Sequence, residues 1–178
     1  MTKQHTQQCP IAGFLNLFGD RWTWLIVREA FYGSTRFTEF ERYTGIAKNL
    51  LADRLSMLVE MGILEKQDIG ARGTRFAYKL TKKGLSLNTV LLAMFQWGNT
   101  HLYRDGEEPL TIVERATGEP VSTMAVVSLD GRPLSPGDLM TLPGPGANEL
   151  TTRRLNKIAA QTRAKLETQT AVPKNDGA

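Results

Sequence analysis

Three features of this 178-residue chain predict an α+β fold that is mainly α. Amphipathic segments with recognisable caps fill positions 10–61. Two strand-like runs follow, ILEKQDI and TRFAYKL, with a glycine loop between them. A longer helical stretch comes directly after the second run.

The elements are justified in order. Pro10 in CPIAGFLNLFG suits the first position of a helix, where its missing N–H has no intrahelical partner to lose. Asp20 is placed to cap a second helix carrying apolar Trp24, Leu25, Val27 and Phe31. TRFTEFERYTG predicts a short helix from Thr38 that Gly45 ends. IAKNLLADRLSMLVEMG predicts another, ended by Gly62. The loop IGARGTRF, residues 69–76, reads as the tip of a β-hairpin, with Gly70 and Gly73 as its turn makers. Thr81–Tyr103 is then expected as one long helix. A helical pair followed at once by a hairpin with a basic tip is the plan of a winged helix-turn-helix.

Beyond residue 104 the composition changes to a Pro- and Gly-rich stretch with β-like runs at Leu110–Arg115 and Val121–Ser128. The expected organisation is a winged-helix domain over 9–104 and a small hairpin-containing subdomain over 105–147. An amphipathic helix capped by Asn148 follows over 148–168, with a disordered tail over 169–178. An apolar share of 41% with 22% charged residues fits a globular chain better than a disordered or membrane one. No secretory signal is expected, because MTKQHTQQCP lacks an apolar core, and a single cysteine fits a reducing compartment. The expected location is the cytoplasm, with no membrane partner.

Charge is uneven. Residues 1–104 hold 14 Lys/Arg against 8 Asp/Glu, a net +6, while residues 105–178 hold 8 against 10, a net −2. An anion-binding surface is therefore expected in the first part. On a helical projection of Ala47–Met61, Ala47, Leu50, Leu51, Leu55, Met57, Leu58 and Met61 form an apolar face. Asn49, Ala52, Asp53, Ser56 and Glu60 lie opposite, with Lys48 and Val59 at the edge. This face is small and polar at its N-terminal end, as an approach to base edges in a major groove requires. Asn49 has the chemistry for adenine N6/N7, and Lys48 for guanine or a phosphate. Arg54 projects at the border, so it either reaches a phosphate or pairs internally with an acid such as Asp20 or Glu39. Arg36 and Thr38 open the preceding helix, whose first amides suit a phosphate. Arg72 at the hairpin tip suits a minor groove, and Arg75 on the returning strand suits a phosphate.

The same residues resemble the HxlR-type transcriptional regulators, winged-helix relatives of the MarR group. The shared pattern is Cys9-Pro10, Gly19 with Arg21-Trp22, Arg36-Phe37, Gly45-Ile46, Leu50, Arg54-Leu55, Leu58 and Gly62, and it covers roughly residues 9–104. The resemblance implies a homodimeric bacterial DNA-binding repressor or activator on a pseudo-palindromic double-stranded operator. It pairs copies through the first helix and the long helix after the wing, with Trp22, Trp24, Met94 and Trp97 as core or interface residues. The later part is similar to the extension of longer members, which often carries a cysteine knuckle. Here Ala116, Val127 and Asp130 stand at the knuckle positions, so a metal-free hairpin is expected. In several relatives a cysteine placed like Cys9 senses oxidants. Cys9 is thus either a redox sensor at a helix N-terminus or a small hydrophobe at the dimer interface. A small effector is the other open route to regulation.

Enzymatic readings fare worse. The glycine loop lacks the Lys-Ser/Thr of a phosphate-binding loop and opens no helix. His5 and His101 are the only histidines, and no triad or metal-ligand spacing converges on either. No enzyme activity and no cofactor are expected. The alternative reading is a winged helix used for protein contact without DNA readout.

Overall fold

A computed structural model describes residues 5–70 and 75–170, with side chains to residue 165. The elements are α1 (Pro10–Phe18), α2 (Arg21–Phe31), α3 (Phe37–Thr44), α4 (Lys48–Glu60), β1 (Leu64–Asp68), β2 (Phe76–Leu80), α5 (Lys82–Leu85), α6 (Asn88–Leu102), β3 (Val126–Val127), β4 (Pro133–Leu134) and α7 (Glu149–Thr170). The chain forms two compact units: Leu17–Met124, and Met1–Asn16 with Ala125–Ala178.

In the Leu17–Met124 unit, local chemistry sets the helix ends. Asp20 accepts from the amides of Trp22 and Thr23 at 3.1 and 3.0 Å and so starts α2. Gly45 (φ 69°) ends α3 in the left-handed region that glycine enters without a Cβ penalty. At the end of α4 the amides of Gly62 and Ile63 return to the carbonyls of Val59 and Leu58, a Schellman arrangement with Gly62 at φ 67°. The core joins Ile26 and Val27 of α2, Phe40 of α3, Leu51, Leu55 and Leu58 of α4, Ile63 and Leu64, all essentially buried. Each such side chain contributes about 2 kcal/mol of transfer free energy. Ile26, absent from the apolar stripe read along α2, is fully buried, whereas Trp24, Leu25 and Phe31 are half-buried. Ala47, assigned to the core face of the reading helix, is exposed because it is the N-cap residue, outside the helical turns.

β1 and β2 pair antiparallel with Leu64 opposite Leu80 and Asp68 opposite Phe76. The amide of Ile69 extends the ladder to the carbonyl of Arg75 at 2.8 Å. The buried strand positions are Leu64 and Ala77, so the hairpin is packed near its base. The segment before α3 joins this sheet: Arg36 bridges Ala77, and the Tyr78 amide donates to the Thr35 carbonyl at 2.8 Å.

The single helix expected over Thr81–Tyr103 is divided. Ser86 and Leu87 form a turn between α5 and α6, and the buried Leu87 pins that turn to the core. The short helix expected from Thr38 begins one residue earlier, with Arg36 as its N-cap. In the Pro/Gly-rich stretch, Ile112 and Glu114 exchange backbone hydrogen bonds with Val121 and Glu119, too short a pairing for strands. Val126–Val127 pairs not with the first β-like run but with Pro133–Leu134. Within the Leu17–Met124 unit, Gln96 of α6 holds residues 122–124, donating to the Ser122 carbonyl (3.1 Å) and accepting from the Met124 amide (2.8 Å).

In the other unit, the side-chain amide of Gln8 donates to the Gly146 carbonyl and accepts from the Asn148 amide, at 2.7 and 2.6 Å. Asn148 in turn caps α7 by accepting from Thr151 at 2.9 Å. α7 runs to Thr170; positions 171–178 of the expected tail lie outside the described residues. Among the described residues no helix is long and apolar enough to cross a membrane.

Candidate nucleic-acid interface

The pairing of residues 35–36 with β2 brings two sequence-distant cations to one place. Arg36, Phe37 and Thr38 at the start of α3, and Arg75, Phe76 and Tyr78 of the wing, line a single groove of about 520 Å³. Arg36, Thr38 and Arg75 are exposed in it. Tyr78 fixes the floor, its ring edge-on to buried Phe40 at 6.4 Å between centroids, and burial raises its phenol pKa. The Nζ of Lys66 sits 3.7 Å above the Phe76 ring, adding a positive charge at this edge of the hairpin.

One carboxylate caps the start of α3. Glu39 accepts from the amides of Thr35 at 2.7 Å and Arg36 at 2.8 Å. These backbone bonds, that from Thr35 foremost, hold its pKa below the ordinary value, so the acid stays ionised and occupied. The Arg36 charge beside it acts in the same direction, as the smallest of these causes.

On α4, Lys48, Asn49, Ala52, Asp53, Ser56 and Glu60 are all exposed, while Leu51, Leu55 and Leu58 are buried behind them. Lys48 lies 3.7 Å from Glu41 across the turn, with its own side chain 73% exposed, so this contact holds it only weakly. Arg54 differs. It is half-buried, and its Nε lies 3.3 Å from Asp20 Oδ1, without the alignment of a hydrogen bond. Of the two roles open to it, the structure supplies the internal partner. Arg72 lies outside the described residues. Cys9 belongs to the other unit and is half-buried, directly before Pro10, the first residue of α1.

Sequence reading missed Phe37, Phe76 and Tyr78 as groove walls. The signal is faint, because a one-residue bridge such as Arg36–Ala77 leaves no periodicity. It also passed over Arg42 and Tyr43, stacked at 5.5 Å near the end of α3, both exposed.

Known proteins are similar to this chain in sequence and in fold. An uncharacterised HTH-type transcriptional regulator of Mycobacterium tuberculosis is 34% identical over 132 residues, 74% of this chain and 84% of that protein. Among solved structures, PA1607, a candidate transcription factor, is 40% identical with a TM-score of 0.72, over 78% of this chain and 97% of that one. A second candidate transcription factor, from Pseudomonas aeruginosa, is also 40% identical, with a TM-score of 0.60 over 83% and 100%. The family model for HxlR-like helix-turn-helix proteins matches residues 17–106. By its match to that model and by its relatives, the chain belongs to the HxlR-like helix-turn-helix family of transcriptional regulators.

Proposed function

We propose that the chain is a homodimeric regulator that reads a pseudo-palindromic operator by inserting α4 into the major groove. The observation that carries this is the convergence of Arg36, Thr38 and Arg75 in one groove, with a polar, small-residue face on α4 next in the chain. In this reading Arg36, Thr38 and Arg75 hold phosphates, and Lys48 reaches a phosphate or guanine. Asn49 pairs with adenine N6/N7, and Asp53 accepts from cytosine N4. Ala52 and Ser56 keep the face thin enough to approach base edges, and Arg72 reaches the minor groove. Arg54 is assigned to hold α4 against α2 through Asp20.

The dimer rests on uncovered apolar surface. Val90, Met94, Trp97 and His101 follow one another at helical spacing along α6, and all are exposed, Trp97 to 60%. Ile11, Leu15 and Leu17 on α1 are exposed as well. A two-fold pairing through such faces sets the two α4 helices one DNA turn apart. Oxidation of Cys9 is the proposed regulatory input. With no second cysteine in the chain, the products are a Cys9–Cys9 bridge between copies, a mixed disulfide or a sulfenic acid.

The test is selection from random double-stranded DNA, followed by binding titrations at several salt concentrations. Arg75→Ala is expected to weaken binding evenly across sequences and to lower the salt slope by about one. Asn49→Ala is expected to relax one base position, worth about 1–3 kcal/mol. Equal affinity for selected and random DNA would instead favour a protein-contact module.

A further inference from the structure

Three carbonyls that follow the end of α4 are taken by one short segment. Three consecutive acceptors, Met61, Gly62 and Ile63, receive Lys83 Nζ (2.8 Å), Thr81 Oγ1 (2.6 Å) and the Thr81 amide (3.0 Å). The same Thr81 hydroxyl accepts from the Gly84 amide at 3.0 Å and so caps α5. At Gly84 the backbones touch: a Cβ there would lie 2.2 Å from the Ile63 carbonyl oxygen and 3.0 Å from Leu80 Cδ2. The contact is against backbone, so no side-chain rotation relieves it. From α5 the connection to α6 carries backbone hydrogen bonds from Ser86 to Lys82, Leu87 to Gly84 and Leu91 to Leu87. Ser86 Oγ adds a bond to the Lys83 carbonyl, and Leu87 is buried.

We infer that Thr81, Lys83 and Gly84 form a rigid coupling that fixes the reading helix α4 relative to the dimerisation helix α6, and thereby sets the spacing of operator half-sites the dimer accepts. The inference rests on the DNA-reading dimer proposed above and adds residues to it that lie off the reading face. The physical reason is a lever. A dimer holds two α4 helices at a distance fixed by α6, so a displacement where α4 meets α5 changes the separation and phase of both readers. Base contacts tolerate little displacement, because a bidentate pair fixes both direction and distance.

The experiment titrates the full-length protein with its selected operator and with variants whose spacer is lengthened or shortened by single base pairs, and with an isolated half-site. Gly84→Ala is expected to lose roughly tenfold in affinity at the wild-type spacing, comparable to one mismatched base pair, and to flatten the spacing profile. Its affinity for the isolated half-site stays at the wild-type value. Lys83→Met removes an exposed ammonium without touching the core, and is expected to act in the same direction with about a threefold loss, near the lower limit for one net hydrogen bond. Lys83→Arg restores the profile. A folded Gly84→Ala with the wild-type spacing profile overturns the coupling, as does equal loss on half-site and full site. If Gly84→Ala fails to fold, an unchanged profile in Lys83→Met overturns it. If the wild-type chain prefers no sequence, the DNA reading fails and the coupling is judged by amide hydrogen exchange. Faster exchange in Lys83→Met at both Ile63 and Leu91 supports the coupling, and faster exchange at Ile63 alone overturns it.

Discussion

Replacing Asp20 with alanine removes two roles at once, and their sizes can be worked separately. As the cap of α2, its Oδ1 receives two backbone amides at 3.1 and 3.0 Å, and Oδ2 receives the hydroxyl of fully buried Thr23 at 2.5 Å. Loss of such a cap costs about 1 kcal/mol, toward 2 where a buried hydroxyl also loses its acceptor. As the partner of Arg54, it sits 3.3 Å from a buried Nε that has no hydrogen bond. Both side chains are roughly a third exposed and the contact is poorly aligned, so the pair adds about 0.5–1 kcal/mol. Asp20→Ala is therefore expected to destabilise the fold by about 2 kcal/mol. Asp20→Asn, which keeps a capping oxygen, should cost about 1 kcal/mol or less. A double-mutant cycle with Arg54→Met, followed by urea unfolding, isolates the pair. A coupling of zero, or an Asp20→Ala cost under about 0.5 kcal/mol, refutes the reasoning. The same cycle decides the arginine's role. Arg54→Met should lower stability and leave the salt slope of DNA binding unchanged, whereas a slope reduced by about one would place it on a phosphate.

Three further outcomes follow from the same geometry. Glu39 is held below its ordinary pKa of 4.5 by the amides of Thr35 and Arg36, so its contribution is complete above that value and is lost as pH falls through the lower folded-state value. Glu39→Gln should flatten this acid-side loss in urea melts, and an unchanged pH dependence would count against the cap. Trp97→Asp puts a charge into the exposed apolar stripe of α6 and should convert the proposed dimer to monomer in sedimentation equilibrium, with total helix content unchanged by circular dichroism; a surviving dimer places the interface elsewhere. Oxidant treatment should lower operator affinity of the wild-type chain and not of Cys9→Ser, and equal loss in both removes Cys9 from the response.

Much of the fold was legible because its signals are local. Asp20, Gly45, Gly62 and Asn148 act on amides or backbone angles within a few residues of themselves, so the chain announces where helices start and stop. The polar face of α4 followed from a period of 3.6 alone. The break at Ser86–Leu87 did not: Gly84, Ser86 and Asn88 are weak helix formers, but the apolar run that follows reads as one helix with them; what divides it is the pinning of its first turn to a distant carbonyl. The β-like runs after residue 104 are extended only in part, as a single bridge at Val113 and a strand at Val126–Val127. Strand propensity marks which residues accept extended backbone, but not which partner they take.

The sequence by itself determined the helical order, the hairpin, the basic bias of the first 104 residues and the cations with phosphate-binding chemistry, since each depends on residue type and near-neighbour spacing. The tertiary structure decided which of those groups act together. It brought Arg36 to Arg75 across 39 positions by pairing residues 35–36 with β2, gave Arg54 to Asp20, and set the hydroxyl, ammonium and glycine of Thr81–Gly84 against the carbonyls that follow α4. These contacts join residues far apart in sequence, held by the core around Phe40, Leu51 and Leu58, and no local pattern encodes them.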